Sequence, residues 1–255
     1  LYDRLTKGLG ASVQEQPGPS GNRWTINPGG GRTWVMEPQL SLGAVKPDFV
    51  FYSSDQNIPR LAVFCDGWQF HASPVINRIA DDATKRAALR DQGYVVLGLT
   101  WQDLVDAEGS TPTPPTWFAE ARWTQAMAAT GGMLKPVHLD LVKGGPIDYL
   151  VRWISHPDPA GIEALAEALP LLLVGAGPLG KAEAASGLVD LTKTVHDGAT
   201  IPSEGDRRAW GWQHDTLTVL ARNVATQGYS TEVSVLLDDR DSRLGQNHKG
   251  AWREW

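Results

Sequence analysis

Two aspartates and a histidine lie near the ends of strand-like runs and carry the chemistry that the sequence suggests. Asp48 begins the run 48–52, Asp66 follows the run 61–65, and His71 comes five residues after Asp66. Hydrolysis of a phosphodiester needs an activated water and neutralisation of the phosphate charge, and Mg²⁺ held by carboxylates supplies both. An unperturbed histidine titrates near neutral pH, so His71 can serve as general acid or base. These residues predict a metal-dependent phosphodiesterase.

Further charged side chains follow on a predicted helix over residues 75–92. Asp82 and Arg86 are four residues apart and share a helix face, and Lys85 adjoins Arg86. Lys85 and Arg86 are candidates to bind a phosphate, and a solvated helix face is an equally good interpretation. Cys65 is the only cysteine, so the chain has no internal disulfide. Its setting favours a small packed side chain over a nucleophile.

The predicted elements form one compact α/β unit around these side chains. Strands are predicted around residues 24–26 and 33–36, and the runs 48–52 and 61–65 form a hairpin through a polar loop. The helix over 75–92 ends at Gly93, and a buried strand over 94–99 and a short helix over 101–107 follow. Helices between strands indicate a sheet flanked by helices, ending near residue 108.

The rest of the chain predicts a Pro-rich linker and a smaller α+β accessory region. Three prolines lie within residues 109–116, which separate domain 1–108 from region 117–255. Helical patterns occur at 117–130 and 161–169, and strands at 216–224 and 231–237 are expected to form an antiparallel pair. Short helices are also expected at residues 2–9 and over the tail 238–255.

Three segments resemble a known nuclease group. The runs Pro47-Asp48-Phe49-Val50, Phe64-Cys65-Asp66-Gly67-Trp68-Gln69-Phe70-His71 and Gly93-Tyr94-Val95-Val96-Leu97, the last followed by Trp101, resemble the very-short-patch repair endonucleases. Those enzymes belong to the PD-(D/E)XK restriction-endonuclease-like superfamily. The helix before Gly93 also resembles that of a domain often fused to bacterial helicases. The resemblance covers roughly residues 1–108 and implies a restriction-endonuclease-like mixed sheet flanked by helices.

The resemblance also implies a role for individual residues. Asp48 matches the metal-binding aspartate, Cys65 the residue whose backbone carbonyl binds metal, and His71 the catalytic histidine. Asp66 stands where the repair endonucleases have a histidine, and Phe64 where the helicase-linked domains have a glutamate. The superfamily's usual lysine beside the second acid is also missing. Either Asp66 and His71 replace the missing groups, or the site is degenerate and the domain only binds.

The function expected from these residues is a metal-dependent DNA endonuclease within a larger bacterial DNA-processing or phage-defence protein. Asp48, Asp66 and the Cys65 carbonyl would bind Mg²⁺ or Mn²⁺, and His71 would position or activate water. DNA and a helicase, or other domains of the larger protein, are the expected partners. The alternative is a catalytically inactive nuclease-like module that binds nucleic acid or a helicase partner.

Composition limits these expectations. The formal net charge of −6 argues against nonspecific attraction to nucleic acid, because such binding depends on Lys and Arg releasing counterions. One cysteine and the lack of a signal peptide or membrane span in the sequence favour a cytoplasmic protein without membrane contact. The chain begins with Leu1 rather than methionine, which indicates a part of something longer.

A glycine-rich motif offers a rival interpretation. Residues 175–180 match the G-x-G-x-x-G dinucleotide-binding pattern. That site needs a strand before the glycines and an acidic residue at the end of a second strand, which neither Asp190 nor Asp197 provides convincingly. Pro178 also lies inside the motif, so a plain loop is favoured. Five further histidines show no metal-ligand spacing and receive no role: His138, His156, His196, His214 and His248.

Overall fold

The chain folds into two compact units. The computed structural model describes residues 9, 12–19, 21–106, 123–124, 136–174, 187–198, 209–214, 216–226, 228–240, 251–252 and 255. The first unit comprises Leu1–His71, Arg78–Pro114 and Val137–Pro159, and the second Ala72–Asn77, Pro115–Pro136 and Ala160–Trp255. The first unit therefore includes residues 137–159, which the sequence analysis assigned to the accessory region.

A six-stranded mixed sheet forms the centre of the first unit. Its strands are β1 (Ser12–Gly18), β2 (Gly21–Asn27), β3 (Trp34–Pro38), β4 (Phe49–Ser53), β5 (Leu61–Asp66) and β6 (Val95–Thr100). They lie in sequence order, and each neighbouring pair is antiparallel except β5 and β6, which are parallel. The predicted hairpin of β4 with β5 and the strand β6 are confirmed.

Helices connect the parallel strands and follow them. After β5 come α1 (Trp68–His71) and α2 (Ile79–Asp91), and β6 runs into α3 (Trp101–Asp106). Parallel neighbours require such a crossover, and α2 supplies it. Helix α2 begins four residues later than predicted, and Gly93 follows its end with a φ of 82° that favours glycine. The helices α4 (Pro136–Gly144) and α5 (Pro146–Ser155) come later in the chain.

Apolar side chains bury both faces of the central strands. Leu61, Ala62 and Val63 of β5 are fully buried in succession, which is typical of a strand covered on both sides. On one face, Leu89 of α2 packs with Ala62 and Phe64. Trp34 is also fully buried, and its indole Nε1 donates to the Ile154 carbonyl of α5 at 2.9 Å.

The register of the parallel pair decides which side chains lie beneath α2. Phe64 is opposite Gly98, and Asp66 is opposite Thr100. Side chains alternate between the two faces of a strand, so Ala62, Phe64 and Asp66 share one face. Since Leu89 packs with Ala62 and Phe64, this is the face that α2 covers. Asp66 therefore lies at the carboxyl end of β5, on the α2 side of the sheet.

The second unit has its own small sheet. Strands β7 (Ala209–His214), β8 (Leu217–Thr226) and β9 (Gly228–Leu237) form an antiparallel sheet in sequence order. Helix α6 (Pro159–Val174) precedes α7 (Leu188–His196), and Leu188 and Val195 of α7 pack against Leu220 of β8. The predicted pair of β8 with β9 is confirmed, and so is a helix through 161–169.

The mixed α/β class is confirmed, and several other predictions lie outside the described residues. These include the linker, the helix at 2–8, the tail at 241–250 and most of 117–130, of which only 123–124 are described, as helix. Residues 171–174, which precede the glycine-rich motif, belong to α6 rather than to a strand, so one requirement of a dinucleotide site is not met. Within the described part of the chain, no helix is long and apolar enough to cross a membrane.

Candidate functional site

Asp66 ends β5 with a buried carboxylate. The residue is 5% exposed, and its Oδ2 accepts a hydrogen bond from the guanidinium of Arg86. Burial raises the pKa of Asp66 above its ordinary value, although Arg86 acts in the opposite direction. Among the described residues, no hydrogen-bond partner reaches the second oxygen, Oδ1. One side of this carboxylate is therefore neutralised by an arginine, and the other is left unsatisfied.

Arg86 reaches Asp66 through a socket built by the two parallel strands. Its guanidinium carbon lies 5.0 Å from the centre of the Phe64 ring, which is cation–π distance. Gly98, opposite Phe64 on β6, leaves the space that the ion pair occupies. A Cβ at Gly98 would lie 3.3 Å from Asp66 Oδ2 and 3.4 Å from Arg86 Nη1, closer than ordinary contacts. The sequence thus places an aromatic ring, a carboxylate and a glycine around one guanidinium.

His71 forms a second ion pair between α1 and α2. Its Nδ1 lies 2.6 Å from Asp82 Oδ2, and its side chain is 24% exposed. The hydrogen bond to Asp82 raises the pKa of His71, more than partial burial lowers it. Burial alone would raise the pKa of Asp82, but His71 and nearby cations bring it below its ordinary value. This arrangement orients the ring and favours the imidazolium, a charged hydrogen-bond donor.

Asp48 joins the start of β4 to the end of β5. Its Oδ2 accepts a hydrogen bond from the backbone N–H of Cys65 at 2.7 Å, and its Oδ1 accepts from Gln39 Nε2 at 2.9 Å. The Gln39 backbone N–H also donates to the Asp48 carbonyl at 3.0 Å. Gln39 holds a left-handed φ of 50°, which is uncommon outside glycine. Both carboxylate oxygens of Asp48 therefore already accept hydrogen bonds within the protein.

Cys65 immediately precedes Asp66, and its thiol is close enough to both Asp48 and Asp66 to be affected by their negative charges. Burial, followed by the negative charges of Asp48 and Asp66, raises the pKa of the Cys65 thiol to about 12. The thiol is therefore protonated at neutral pH and is a poor nucleophile, because the thiolate is the reactive form. This behaviour agrees with the interpretation of Cys65 as a packed side chain.

The two cations predicted to bind phosphate both have partners within the protein. Lys85 Nζ lies 2.6 Å from Asp81 Oδ2, one helical turn away, and both side chains are well exposed. Arg86 pairs with Asp66, and its side chain is only 13% exposed. Lys85 thus belongs to a solvated ion pair, whereas Arg86 belongs to a buried one.

These side chains do not fit a Mg²⁺ centre as they are arranged. Among the described residues, no group of three or more His, Cys, Asp or Glu side chains is placed to hold a metal ion. Arg86 neutralises Asp66, and hydrogen bonds engage both oxygens of Asp48. Mg²⁺ needs near-octahedral oxygen ligands, which this set does not offer. The requirement for Mg²⁺ or Mn²⁺ stays a prediction.

Comparisons with protein-family models, with curated proteins and with solved structures found no match to this chain. The resemblance to nucleases therefore rests on the quoted motifs alone.

Sequence reasoning missed three features of this site. Asp82 was considered with Arg86, four residues away, but it pairs with His71 instead. Gln39, which holds Asp48, has no sequence signal that sets it apart. Gly98 did have one, because an isolated glycine inside an apolar strand often marks a close approach of other groups.

Proposed function

We propose that this chain is a nuclease-like module that binds nucleic acid without metal-dependent cleavage. The observation that carries this proposal is the buried ion pair between Asp66 and Arg86 at the carboxyl end of β5. A carboxylate that already has a guanidinium partner has little electrostatic reason to recruit a metal ion. This was the alternative that the sequence left open, and the geometry favours it.

The position of the site supports binding of a ligand. In α/β sheets, ligands bind outside the carboxyl ends of the strands. Asp66 and Thr100 end the parallel strands β5 and β6, and His71 ends the short helix α1 that follows β5. His71 is partly exposed, and its raised pKa favours the charged form, which donates strong hydrogen bonds to phosphate oxygens. An anionic ligand suits this end of the sheet.

Nucleic acid as that ligand is supported by the order of the motifs on the fold. Asp48 precedes β4, Asp66 ends β5, and His71 lies before the crossover helix α2. Asp48 and His71 stand in the order in which they match the repair endonucleases, and Asp66 occupies the position between them where those enzymes have a histidine. The proposal includes a helicase, or other domains of a longer protein, as the partner that delivers the nucleic acid.

Binding to labelled oligonucleotides tests this function. We expect fluorescence anisotropy to detect binding of single-stranded or duplex DNA equally well in Mg²⁺ and in EDTA at matched ionic strength. His71→Ala should weaken binding about 10-fold, the effect of one charge-assisted hydrogen bond. Lys143→Ala, which removes a cation on α4, serves as the control. Equal affinity of wild type and His71→Ala, or no binding at all, would refute the proposal.

A metal-dependent endonuclease is the second candidate, and one observation favours it. Oδ1 of Asp66 is buried and has no hydrogen-bond partner among the described residues, and such atoms usually have a ligand. Plasmid cleavage in Mg²⁺ or Mn²⁺ tests this candidate. Cutting that is lost in both Asp48→Ala and His71→Ala would establish it, and no cutting, or cutting unchanged in both, would remove it.

A further inference from the structure

The carboxylate of Asp66 needs a counter-charge because its side chain is only 6% exposed. An ionised group removed from water is costly unless an opposite charge and hydrogen bonds compensate. In this protein the compensating charge comes from Arg86, twenty residues later on α2. The counter-charge of Asp66 is thus a side chain of the same chain, and folding of the β5–α2–β6 unit brings it into place.

Two neighbours of the Arg86 guanidinium, Phe64 and Gly98, fit this cation and would not suit a hydrated metal ion. The Phe64 ring faces the guanidinium at 5.0 Å, and planar, weakly hydrated arginine stacks well on aromatic rings. Gly98 leaves room for both Asp66 Oδ2 and Arg86 Nη1 against β6. An apolar ring in this position supplies no oxygen ligand, whereas Mg²⁺ prefers oxygen and keeps much of its water. The socket is built for an arginine.

We propose that Arg86 is a tethered cation that takes the place of a metal ion beside Asp66 and excludes divalent cations from the site. This inference rests on the proposed function, because it explains how a nuclease-like module binds its ligand without metal. Arg86 then acts as a positioning residue. It fixes the end of β5 beneath α2 and favours the ionised form of Asp66.

Arg86→Met removes the charge and keeps an unbranched side chain on the Phe64 ring. Asp66 then has two oxygens without a cationic partner, and a divalent ion from solution becomes the available counter-charge. Arg90 lies one turn later on α2 and is exposed, so Arg90→Met removes a nearby positive charge without touching Asp66. This variant is the matched control.

Mn²⁺ binding measured by electron paramagnetic resonance tests the inference with the metal alone as probe. Wild type and Arg90→Met should leave the signal of free Mn²⁺ unchanged. Arg86→Met should bind one Mn²⁺ at least about 10-fold more tightly than wild type, since one unit of repulsive charge is gone. Adding Asp66→Asn to Arg86→Met should abolish that binding. If Arg86→Met does not fold, Arg86→Gln, which is neutral and polar, takes its place, and the same tighter binding of Mn²⁺ is expected.

Two results would overturn the inference. One is a wild-type protein that binds one Mn²⁺ and loses it in Asp66→Asn, because Asp66 would then be a metal ligand despite Arg86. The other is a folded Arg86→Met or Arg86→Gln variant that binds Mn²⁺ no more tightly than wild type. Since the assay contains no nucleic acid, its outcome is separate from the test of the proposed function.

Discussion

Each unit of this protein contains a histidine within hydrogen-bond distance of an aspartate, His71 with Asp82 in the first and His196 with Asp238 in the second, and these pairs differ in burial. In the first unit, His71 Nδ1 lies 2.6 Å from Asp82, and the histidine side chain is 24% exposed. In the second unit, His196 Nε2 lies 2.8 Å from Asp238, and both side chains are 4% exposed. The same two residue types therefore face solvent in one unit and form part of the core in the other.

His196 differs from His71 also in the hydrogen bonding of its second ring nitrogen. His196 Nδ1 lies 2.8 Å from Thr218 Oγ1, so both nitrogens of this ring are engaged within the protein. Arg240 adds hydrogen bonds to the Asp238 carboxylate at 2.6 and 2.9 Å. Threonine, histidine and aspartate stand in the order of a nucleophile, base and orienting acid. Thr218 is fully buried, however, so no substrate reaches it, and the network fastens α7 to β8 and the end of β9.

A hydrogen-bonded histidine indicates a ligand site only when part of its ring is accessible. Polar groups that satisfy one another inside the core stabilise the fold. In the first unit, the accessible His71 adjoins a buried ion pair at the carboxyl ends of parallel strands. That setting offers a ligand a charged donor.

The largest expected effect comes from breaking the buried pair of the first unit. Asp66→Ala leaves the Arg86 guanidinium buried without its carboxylate, which typically costs about 3–5 kcal/mol of unfolding free energy. Adding Arg86→Met should recover most of that loss. Urea unfolding followed by circular dichroism measures both values. A loss below about 1 kcal/mol for Asp66→Ala would show that the ion pair is effectively solvated.

Alanine at the two histidines compares the units directly. His196→Ala removes two buried hydrogen bonds and should cost about 2–3 kcal/mol of unfolding free energy. His71→Ala removes a partly exposed ion pair and should cost less than about 1 kcal/mol. Thermal and urea unfolding give both values. Equal losses in the two variants would mean that His71 is as structural as His196.

Low pH should lower the stability of the second unit, because Asp238 becomes protonated. Burial alone would raise the pKa of this carboxyl, but hydrogen bonds from Arg240 and His196 bring it well below its ordinary value. Stability from such a group is fully present above the pKa of about 3.9 found in unfolded chains, and is lost as pH falls towards the lower folded value. The protection of β9 amides against hydrogen exchange, measured relative to the intrinsic exchange rate at each pH, should fall below pH 4 in wild type. Asp238→Asn should show a weaker dependence, and an identical pH profile would contradict this assignment.

The smallest expected effect is at Gly98. A Cβ there meets Asp66 Oδ2 at 3.3 Å and Arg86 Nη1 at 3.4 Å, so the ion pair has to shift by a few tenths of an ångström. We expect Gly98→Ala to cost about 1 kcal/mol. Gly67→Ala, which meets only the side chain of the exposed Phe70, is a control with less effect. A stabilised Gly98→Ala variant would show that the socket has spare room.

Much of the first unit was predictable because its signals are local. The apolar runs of β5 and β6 and the glycine after α2 predict their elements from neighbouring residues. Strand β1 was missed because Gln14, Glu15 and Gln16 are polar and Pro17 lies inside it, which is tolerated at the edge of a sheet. Helix α5 was also missed, although its buried residues Ile147, Leu150, Trp153 and Ile154 follow a helical period.

The pairing of charges was not predictable, because it depends on tertiary structure. Helical spacing places Asp82 and Arg86 on one helix face, but the crossover of α2 brings Arg86 to Asp66, and Asp82 pairs with His71. In the second unit, His196 and Asp238 are 42 residues apart, and no local pattern joins them. The sequence identified most of the residues at the site, whereas the fold decided which of them neutralise one another.

The most direct test of the central claim is DNA binding in the absence of divalent cations. Anisotropy titrations of wild type with labelled DNA, in EDTA and in Mg²⁺ at equal ionic strength, should give the same affinity and no cleaved product in either buffer. Binding that requires Mg²⁺, together with cutting that Asp48→Ala abolishes, would contradict a metal-independent module and establish a metal-dependent nuclease instead.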